Sequence, residues 1–344
     1  MLILGIESSC DETAASIVSD EKHILSNIIS SQIKNHERFG GVVPEIAARA
    51  HMDNIETIID MALADANVTL DDIDGVAATC GPGLVGGVIV GMMAGKTIAA
   101  VKDKPFIGVN HLEGHILSPR LTDDVQFPYL VLLVSGAHTQ ILIAHGLGQY
   151  ELLGTTLDDA VGECFDKVGR MLGLPFPGGK YVAELAMQCK DRALAAKKFP
   201  LPRPLKGRAG CDFSFSGLKT AVLKYVDGLN DLDKIDLAAS MEDAVADVMV
   251  DRVSHAIDIF KDKYDNVDNI HIVSGGGVAA NLTIKARLID LTATHGMIFT
   301  APPAILCTDN GAMIAWVGIE RLRAGKTSDL AIKAKPRWPL EDVA

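Results

Sequence analysis

The chain has 344 residues, 48% hydrophobic and 22% charged, as in soluble globular proteins with a full core, and this length allows two domains or one two-lobed unit. A net charge of −12 argues against nonspecific nucleic-acid binding. Six cysteines are scattered without a C-x-x-C pair, which argues against a disulfide framework or a thiolate zinc site.

The N-terminal residues predict two strands joined by a polar turn. Leu2–Ile6 is apolar, residues 7–13 are small and polar, and Ala14–Val18 is apolar again. The start of the chain lacks the basic residues and long apolar core of a signal peptide, which favours a cytoplasmic location. The next elements predicted are a helix over Asp53–Ala64 and strands over Asp72–Thr79 and Pro105–Val109.

Gly75–Gly95 carries no charge and resembles a membrane span in composition. The turn Gly81-Pro82-Gly83 divides it into a strand and a helix, however. Glycines recur every fourth residue from Gly83 to Gly95, a spacing also seen in membrane helix dimers. We interpret the segment as a buried helix packed very closely on a sheet, and expect no membrane contact.

The strand–turn–strand pattern recurs in the second half of the chain. Tyr129–Val134 is apolar, Ser135–Thr139 is small and polar, and Ile141–Ala144 is apolar. Two similar halves predict a duplicated, two-lobed α/β fold with a cleft between the lobes. We place the lobes at residues 1–115 and 116–344, with the last helix free to return to the first lobe. The later elements predicted are a helix over Ala238–Phe260, a strand over Ile270–Val273 and a helix over Asn281–Leu291.

Three glycine- or serine-rich turns follow apolar strands, at residues 7–13, 135–139 and 274–281. Each can offer backbone N–H groups to an anion, and three of them over two halves favour a nucleotide ligand. None fits the P-loop or the dinucleotide fingerprint.

A basic, proline-stiffened segment lies within a predicted insertion near residues 190–215. It could follow a phosphate backbone, or it could be an ordinary solvated loop. Its charged residues are Lys197, Lys198, Arg203, Lys206 and Arg208.

His111 and His115 are four residues apart, so both imidazoles share one helix face and can reach one metal ion. Glu113 lies between them but about 200° round a helix from His111, so it points away from that face. This order argues against the H-E-x-x-H protease mechanism. Asp309 starts a predicted helix, where it is either an N-cap or a third, oxygen ligand.

Asp166 and the glycines at 178 and 179 form a second candidate group. A carboxylate near a helix start can simply complement the helix dipole, but beside a nucleotide it can also accept both ribose hydroxyls. A backbone without Cβ atoms, as at Gly179, can lie against a sugar or base.

Together these motifs resemble the TsaD family, the tRNA N6-adenosine threonylcarbamoyltransferases once described as glycoprotein endopeptidases. The matching segments run in one order from about residue 3 to residue 320. They are Gly5–Thr13, Gly40–Glu45, Asn110–His115, Gly162–Lys167, Asp212–Lys219, Gly275–Asn281 and Asp309-Asn310.

The resemblance implies an actin-like, sugar-kinase-like ATPase fold. It implies one divalent metal, Fe²⁺ or Zn²⁺, held by His111, His115 and Asp309. It also implies a set of residues that contact threonylcarbamoyl-AMP: Val134, Ser135, Gly136, Ala137, His138, Asp166, Gly179 and Asn281. The family usually has a second glycine where this chain has Ala137, and a proline where it has Lys180.

The reaction implied is transfer of the threonylcarbamoyl group to N6 of adenosine 37 in tRNAs reading codons that begin with A. Asp11 or Glu12 is a candidate proton acceptor, and His138 a candidate donor to developing charge. The basic Lys197–Arg208 segment, with Lys167 and Arg170, is the candidate tRNA surface. The expected partners are a TsaB-like pseudo-paralogue and a small TsaE-like ATPase. The alternatives are a metalloprotease, which Glu113 argues against, and a small-molecule kinase, which does not need the histidine pair.

Overall fold

A computed structural model of the chain describes residues 1–264, 267 and 269–343. The strands in this part are β1 (Leu2–Glu7), β2 (Glu12–Ser19), β3 (Ile24–Ser31), β4 (Gly75–Gly81), β5 (Phe106–Asn110), β6 (Tyr129–Val134), β7 (Thr139–Gly146), β8 (Gln149–Thr155), β9 (His271–Gly275) and β10 (Ile298–Thr300). The helices are α1 (Ile33–His36), α2 (Pro44–Asp65), α3 (Val85–Lys102), α4 (His111–Thr122), α5 (Val161–Met171), α6 (Gly178–Ala186), α7 (Arg192–Lys198), α8 (Ser216–Leu223), α9 (Asp231–Lys263), α10 (Leu282–Thr294), α11 (Ala304–Cys307) and α12 (Gly311–Arg323).

The first compact unit consists of Met1–Gln126, Gly146–Tyr150 and Pro302–Ala344. Its sheet has the order β3-β2-β1-β4-β5, antiparallel from β3 to β1 and parallel from β1 to β5. Helix α12 packs on β1, β2 and β4 and also on α4. The unit ends at Gln126 rather than at residue 115, because α4 packs within this unit.

The second compact unit consists of Phe127–His145 and Glu151–Ala301. Its sheet has the order β10-β9-β6-β7-β8, in which β6 is antiparallel to β7 and parallel to β9. The long helix α9 begins with a capping box made by Asn230 and Asp233. Its apolar residues make up a large part of the buried cluster of this unit.

The two sheets share one topology. In each, the first strand lies in the middle, with an antiparallel partner on one side and two parallel strands on the other. Reading the second sheet as β8-β7-β6-β9-β10 gives the order of the first. The predicted duplication and the two-lobed α/β class are therefore confirmed.

Helix α3 packs closely through its glycines onto the first sheet, as predicted, but the prediction that it is a buried helix is wrong, since only 33% of it is buried. A Cβ atom at Gly87 would lie 2.4 Å from the Ser8 carbonyl oxygen, and one at Gly91 would lie 2.3 Å from Ser8 Oγ. A Cβ at Gly95 would lie 2.9 Å from Ala78 Cβ on β4. By length and composition alone α3 could cross a membrane, but its glycine face is used for contact with β1, β4 and the turn after β1.

Candidate functional site

The predicted metal-ligand helix begins where β5 ends. Asn110 is the N-cap of α4, and its Oδ1 accepts from the backbone N–H groups of Leu112 (2.9 Å) and Glu113 (3.4 Å). This cap starts the helix at His111, which places His111 and His115 one turn apart on one face.

Asp309 comes from the other end of the chain, directly before α12. The N-cap of α12 is Asn310, whose Oδ1 accepts from Met313 N–H at 2.9 Å, so the interpretation of Asp309 as the cap is wrong. The start of α12 can approach the sheet closely because Gly5 and Gly311 face each other. A Cβ at Gly5 would lie 2.2 Å from the Gly311 carbonyl oxygen.

The structure brings the three predicted metal ligands together in the first unit. His115 Nε2 is 3.1 Å from Asp309 Oδ1, and His111 Nε2 is 3.5 Å from the same oxygen. The two imidazoles meet edge to face with ring centroids 4.9 Å apart. The potential ligand atoms all lie within 4.8 Å of one another. Two imidazole nitrogens and one carboxylate oxygen, with positions left open, form a donor set suited to zinc or ferrous iron.

Glu7, at the end of β1, is hydrogen-bonded to His111 of this cluster. Its buried carboxylate accepts from Ser9 N–H (2.5 Å), Thr79 Oγ1 (2.5 Å) and His111 Nδ1 (3.0 Å). Burial opposes ionisation of Glu7, but His111 outweighs it and lowers the pKa of Glu7. Because Nδ1 of His111 donates to this carboxylate, Nε2 is the nitrogen that faces Asp309. The sequence marked residues 7–13 only as an anion-binding turn, so the role of Glu7 was missed.

Electrostatics in the cluster favour a bound cation. Burial lowers the pKa of His111, but Asp309 and Glu7 outweigh it and raise this pKa to about 9. One nitrogen of His115, Nδ1, is buried without a hydrogen-bond partner among the described residues. The two carboxylates thus favour positive charge at His111, and two imidazoles with one carboxylate form a donor set that fits a divalent ion.

Asp11 and Glu12 lie beside this cluster, in the turn between β1 and β2 and at the first residue of β2. Both side chains are partly exposed. Burial raises the pKa of Glu12 to about 9, with repulsion from Asp309 and Asp11 added. Glu12 therefore carries its proton at neutral pH when no cation offsets these charges.

The Ser135–His138 turn joins β6 to β7 in the second unit. Ser135 Oγ accepts from the backbone N–H groups of Ala137 (3.3 Å) and His138 (3.0 Å). Two N–H groups expected to meet an anion thus donate to a side chain of the same turn. Gly136 and Ala137 are exposed, and a Cβ at Gly136 would meet nothing within 4 Å. There is open space beside Gly136, although the N–H groups of Ala137 and His138 are directed toward the Ser135 hydroxyl.

Asp166 lies in the middle of α5 and not at its start, so the capping interpretation is wrong. Its Oδ1 accepts from Gly179 N–H at 3.2 Å, and a Cβ at Gly178 would lie 2.8 Å from Asp166 Cα. These contacts bring two of the predicted substrate residues, Asp166 and Gly179, side by side. Lys180 is exposed and 3.9 Å from Glu184, so it points to solvent.

Asn281 is another predicted substrate residue, and both the oxygen and the nitrogen of its side-chain amide form hydrogen bonds within the protein. Its Oδ1 accepts from Ile284 N–H (3.0 Å) as the N-cap of α10, and its Nδ2 donates to buried Glu242 (2.7 Å). The side chain is thus fixed by α9 and α10, which leaves its role in ligand contact a prediction.

Glu113 does not face the metal ligands. Its carboxylate accepts from Arg321 and from Tyr150 in a buried part of the first unit. This agrees with the expectation from helical spacing, so Glu113 is not placed to act as a general base for the histidine pair.

The duplicated α/β architecture is shared with solved structures at low sequence identity. HypF from T. kodakarensis matches with a TM-score of 0.62 at 13% identity, over 94% of this chain and 48% of that chain. Component A of (R)-2-hydroxyglutaryl-CoA dehydratase from Acidaminococcus fermentans matches with a TM-score of 0.53 at 16% identity, over 93% of this chain and 99% of that chain. These likenesses define the class: a two-lobed α/β protein with a duplicated, actin-like fold.

Sequence relatives are far closer. Proteins named tRNA N6-adenosine threonylcarbamoyltransferase are 52% identical in Paramagnetospirillum magneticum, over 100% of this chain and 98% of that protein, and 53% identical in Brucella anthropi, over 99% and 96%. Residues 23–316 match the sequence profile described as TsaD: tRNA N6-adenosine threonylcarbamoyltransferase. The chain belongs to the TsaD family, and the resemblance inferred from its motifs is confirmed.

Proposed function

We propose that this chain transfers the threonylcarbamoyl group from threonylcarbamoyl-AMP to N6 of adenosine 37 in tRNAs reading codons that begin with A. The observation that carries the proposal is full-length similarity, at 52–53% identity, to relatives named for this reaction. Membership of the family makes the chain a transferase acting on tRNA. The name of those relatives gives the adenosine N6 acceptor and the threonylcarbamoyl group. The AMP-linked donor and position 37 are part of the proposal.

The chemistry sets clear requirements. The N6 amine attacks the carbonyl carbon of the mixed anhydride, a C–N bond forms, the C–O bond to phosphate breaks, and AMP leaves with the bonding electrons. One proton leaves the amine. An exocyclic amine is a weak nucleophile, so the site must fix geometry and stabilise charge on the carbonyl and phosphate oxygens.

The first unit carries the candidate metal site. His111, His115 and Asp309 would hold one divalent ion, Fe²⁺ or Zn²⁺, with Glu7 orienting His111. When bound, such an ion supplies positive charge for carbonyl or phosphate oxygens. Asp11 or Glu12 would take the amine proton. A Glu12 that is already protonated would instead donate a hydrogen bond.

The second unit supplies the candidate ligand-binding turns. His138 would donate to developing negative charge, and the Ser135–Ala137 turn after Val134, with Gly136 and Ala137 exposed, would lie along the adenylate. Asp166 would accept from the ribose hydroxyls, and the backbone of Gly179 would lie beside the sugar. For Asn281, a contact with the adenylate would have to coexist with its bond to Glu242.

Ion pairs within the protein engage some of the basic side chains that the sequence offers as a candidate tRNA surface. Lys198 pairs with Asp233 (2.6 Å) and Asp236 (2.9 Å), and Arg203 pairs with Asp247 (3.0 Å), all three of them acidic residues of α9. The exposed Lys197 and Arg208 form none of the ion pairs seen among the described residues. We therefore assign phosphate contact to Lys197 and Arg208.

The partners expected are tRNA, a TsaB-like pseudo-paralogue and a TsaE-like ATPase, in the cytoplasm. The first unit offers an apolar surface for the pseudo-paralogue, since α2 and α3 pack on each other and expose large apolar side chains. These side chains are Met52, Met61, Val85, Ile89, Met93 and Val101.

The deciding experiment incubates the protein with labelled threonylcarbamoyl-AMP and tRNA, with and without partner proteins, and analyses the nucleosides. The double variant H111A/D309A should lose both bound metal and transfer, whereas H23A, at an exposed histidine of the same unit, should lose neither. Transfer by the metal-free double variant would show that the metal assignment is wrong. No modified adenosine from the wild type with all partners would overturn the proposed activity.

The tRNA surface is tested separately. K197E and R208E should each weaken tRNA binding and make the salt dependence shallower by about one counterion. Adenylate binding should stay unchanged, and K326E, at an exposed lysine of the first unit, is the charge-matched control. Equal weakening by K326E would reject this surface.

A further inference from the structure

The residue between the two ligand histidines has a defined structural partner. Glu113 is fully buried and forms a two-pronged ion pair with Arg321, in which Arg321 Nε is 2.8 Å from Oε2 and Nη2 is 3.0 Å from Oε1. The Tyr150 hydroxyl donates to the same carboxylate at 2.8 Å, and Arg321 also donates to the Val343 carbonyl oxygen at 2.7 Å. The carboxylate thus receives three hydrogen bonds within the first unit.

This pair connects the two helices that present the metal ligands. Glu113 lies on α4 between His111 and His115, and Arg321 lies on α12, which begins directly after Asp309 and its neighbour Asn310. The helices are in close contact beside the pair, since a Cβ at Gly114 would lie 3.0 Å from Met313 Cγ and 3.1 Å from Ile314 Cδ1. Any sliding or rotation of α4 on α12 would move the histidine nitrogens away from Asp309.

A buried ion pair adds little net free energy to the stability of a protein. Desolvation of both charges offsets their attraction, and well-packed apolar replacements are often equally stable or more stable. A two-pronged pair does impose geometry, because the planar guanidinium fits a carboxylate in one orientation. Position, and not stability alone, is what such a pair supplies here.

We propose that Glu113 is a positioning residue. Its pair with Arg321 sets the register of α4 on α12 and thereby holds His111 and His115 at the distance from Asp309 that a metal ion requires. This inference rests on the proposed metal site, but it makes a separate statement about the helices.

The same two helices provide a matched control. Arg120 of α4 and Glu320 of α12 also form an ion pair, with Nε 2.8 Å from Oε1, beyond the second histidine and near the C-terminal ends of both helices. The variants are E113Q, which leaves Arg321 without its charge partner, the apolar double variant E113M/R321M, and the control E320Q. The double variant keeps the volume filled, so it remains informative if E113Q does not fold.

Metal affinity is the first measurement, by competition of Zn²⁺ or Co²⁺ with a chelator. E113Q and E113M/R321M should bind about tenfold more weakly or worse, with an altered Co²⁺ absorption spectrum, while E320Q should stay within about twofold of the wild type. Wild-type affinity and spectrum in folded E113M/R321M would show that packing alone positions the helix, and would overturn the inference.

Amide hydrogen exchange in metal-free protein is the second measurement, and it distinguishes the two proposals. Faster exchange in α4 is expected for E113M/R321M, relative to E320Q at matched thermal stability. If the wild type binds no metal, the metal site fails, and the exchange result still decides the role of Glu113. Unchanged exchange of α4 would overturn that role whatever the metal result.

Discussion

Replacing Gly91 by alanine tests how closely α3 packs on the first sheet. The Ser8 hydroxyl, in the turn after β1, accepts from Gly91 N–H at 3.0 Å and donates to the Gly87 carbonyl oxygen at 2.8 Å. A Cβ at Gly91 would lie 2.3 Å from that hydroxyl oxygen. Ser8 is buried, so neither it nor the helix can move aside freely.

The magnitude follows from three effects. Overpacking in a core costs about 1–3 kcal/mol. The two hydrogen bonds of Ser8 are worth about 1 kcal/mol each. Alanine is favoured over glycine in a helix by about 1 kcal/mol, which acts in the opposite direction. The net expectation is that G91A lowers the free energy of unfolding by about 2–4 kcal/mol.

Urea unfolding of G91A and of a matched control measures this difference. G217A is the control, because Gly217 is an exposed residue of α8 where a Cβ would meet nothing within 4 Å. G217A should be neutral or more stable by up to about 1 kcal/mol. If G91A proves as stable as G217A, then α3 does not rest on Ser8, and the packing argument for the glycine spacing is refuted.

Three further predictions concern polar groups. E7Q should weaken metal binding by about 10–100-fold, because Nδ1 of His111 loses its charged acceptor; an unchanged Kd in chelator competition would contradict this. Buried His51 accepts from Thr13 Oγ1 and sits 3.1 Å from the Cys10 carbonyl oxygen, and burial lowers its pKa below the ordinary value of 6.5. Below pH 6.5 His51 therefore binds a proton more readily in the unfolded chain than in the folded chain, so the free energy of unfolding should fall as the pH drops. H51Q should make this pH dependence weaker, as measured by urea unfolding at several pH values. N281A should lower the unfolding free energy by about 1 kcal/mol or more through loss of the α10 cap, and equal stability would exclude that capping role.

The sequence predicted those parts of the fold that depend on local pattern. The two strand–turn–strand repeats, the glycine-faced helix and the i,i+4 histidine pair are all visible in short windows, and each is found in the structure. Three of the four edge strands in the described part of the chain, β3, β8 and β10, were missed. β3 is only partly buried, so its residues lack the clean alternation that identifies a strand. Helix α2 begins at Pro44, well before the predicted Asp53, because its first turns carry a mixed pattern.

Site residues whose roles depend on distant partners could not be predicted in the same way. Glu7 and His111 are 104 positions apart, and Glu113 and Arg321 are 208 positions apart. No local pattern links such residues, and a buried carboxylate looks in sequence like any other turn or helix glutamate. The sequence predicted that the N–H groups of the Ser135 turn would face an anion, but two of them donate to the Ser135 hydroxyl. A serine hydroxyl competes with an anion for the same donors, and the sequence pattern does not show which of the two prevails.

The arrangement of the first unit has a consequence for how the protein is made. Two of the candidate metal ligands, His111 and His115, lie about a third of the way along the chain, and the other, Asp309, follows a complete second unit. On the ribosome, β1, β2 and β4 emerge long before α12, which covers them. Closing so long a loop costs entropy before any contact is gained. The second unit can therefore fold while synthesis continues, but the candidate ligand set is complete only when translation is nearly finished. If the proposed metal site is correct, metal binding is a late step in the synthesis of each molecule.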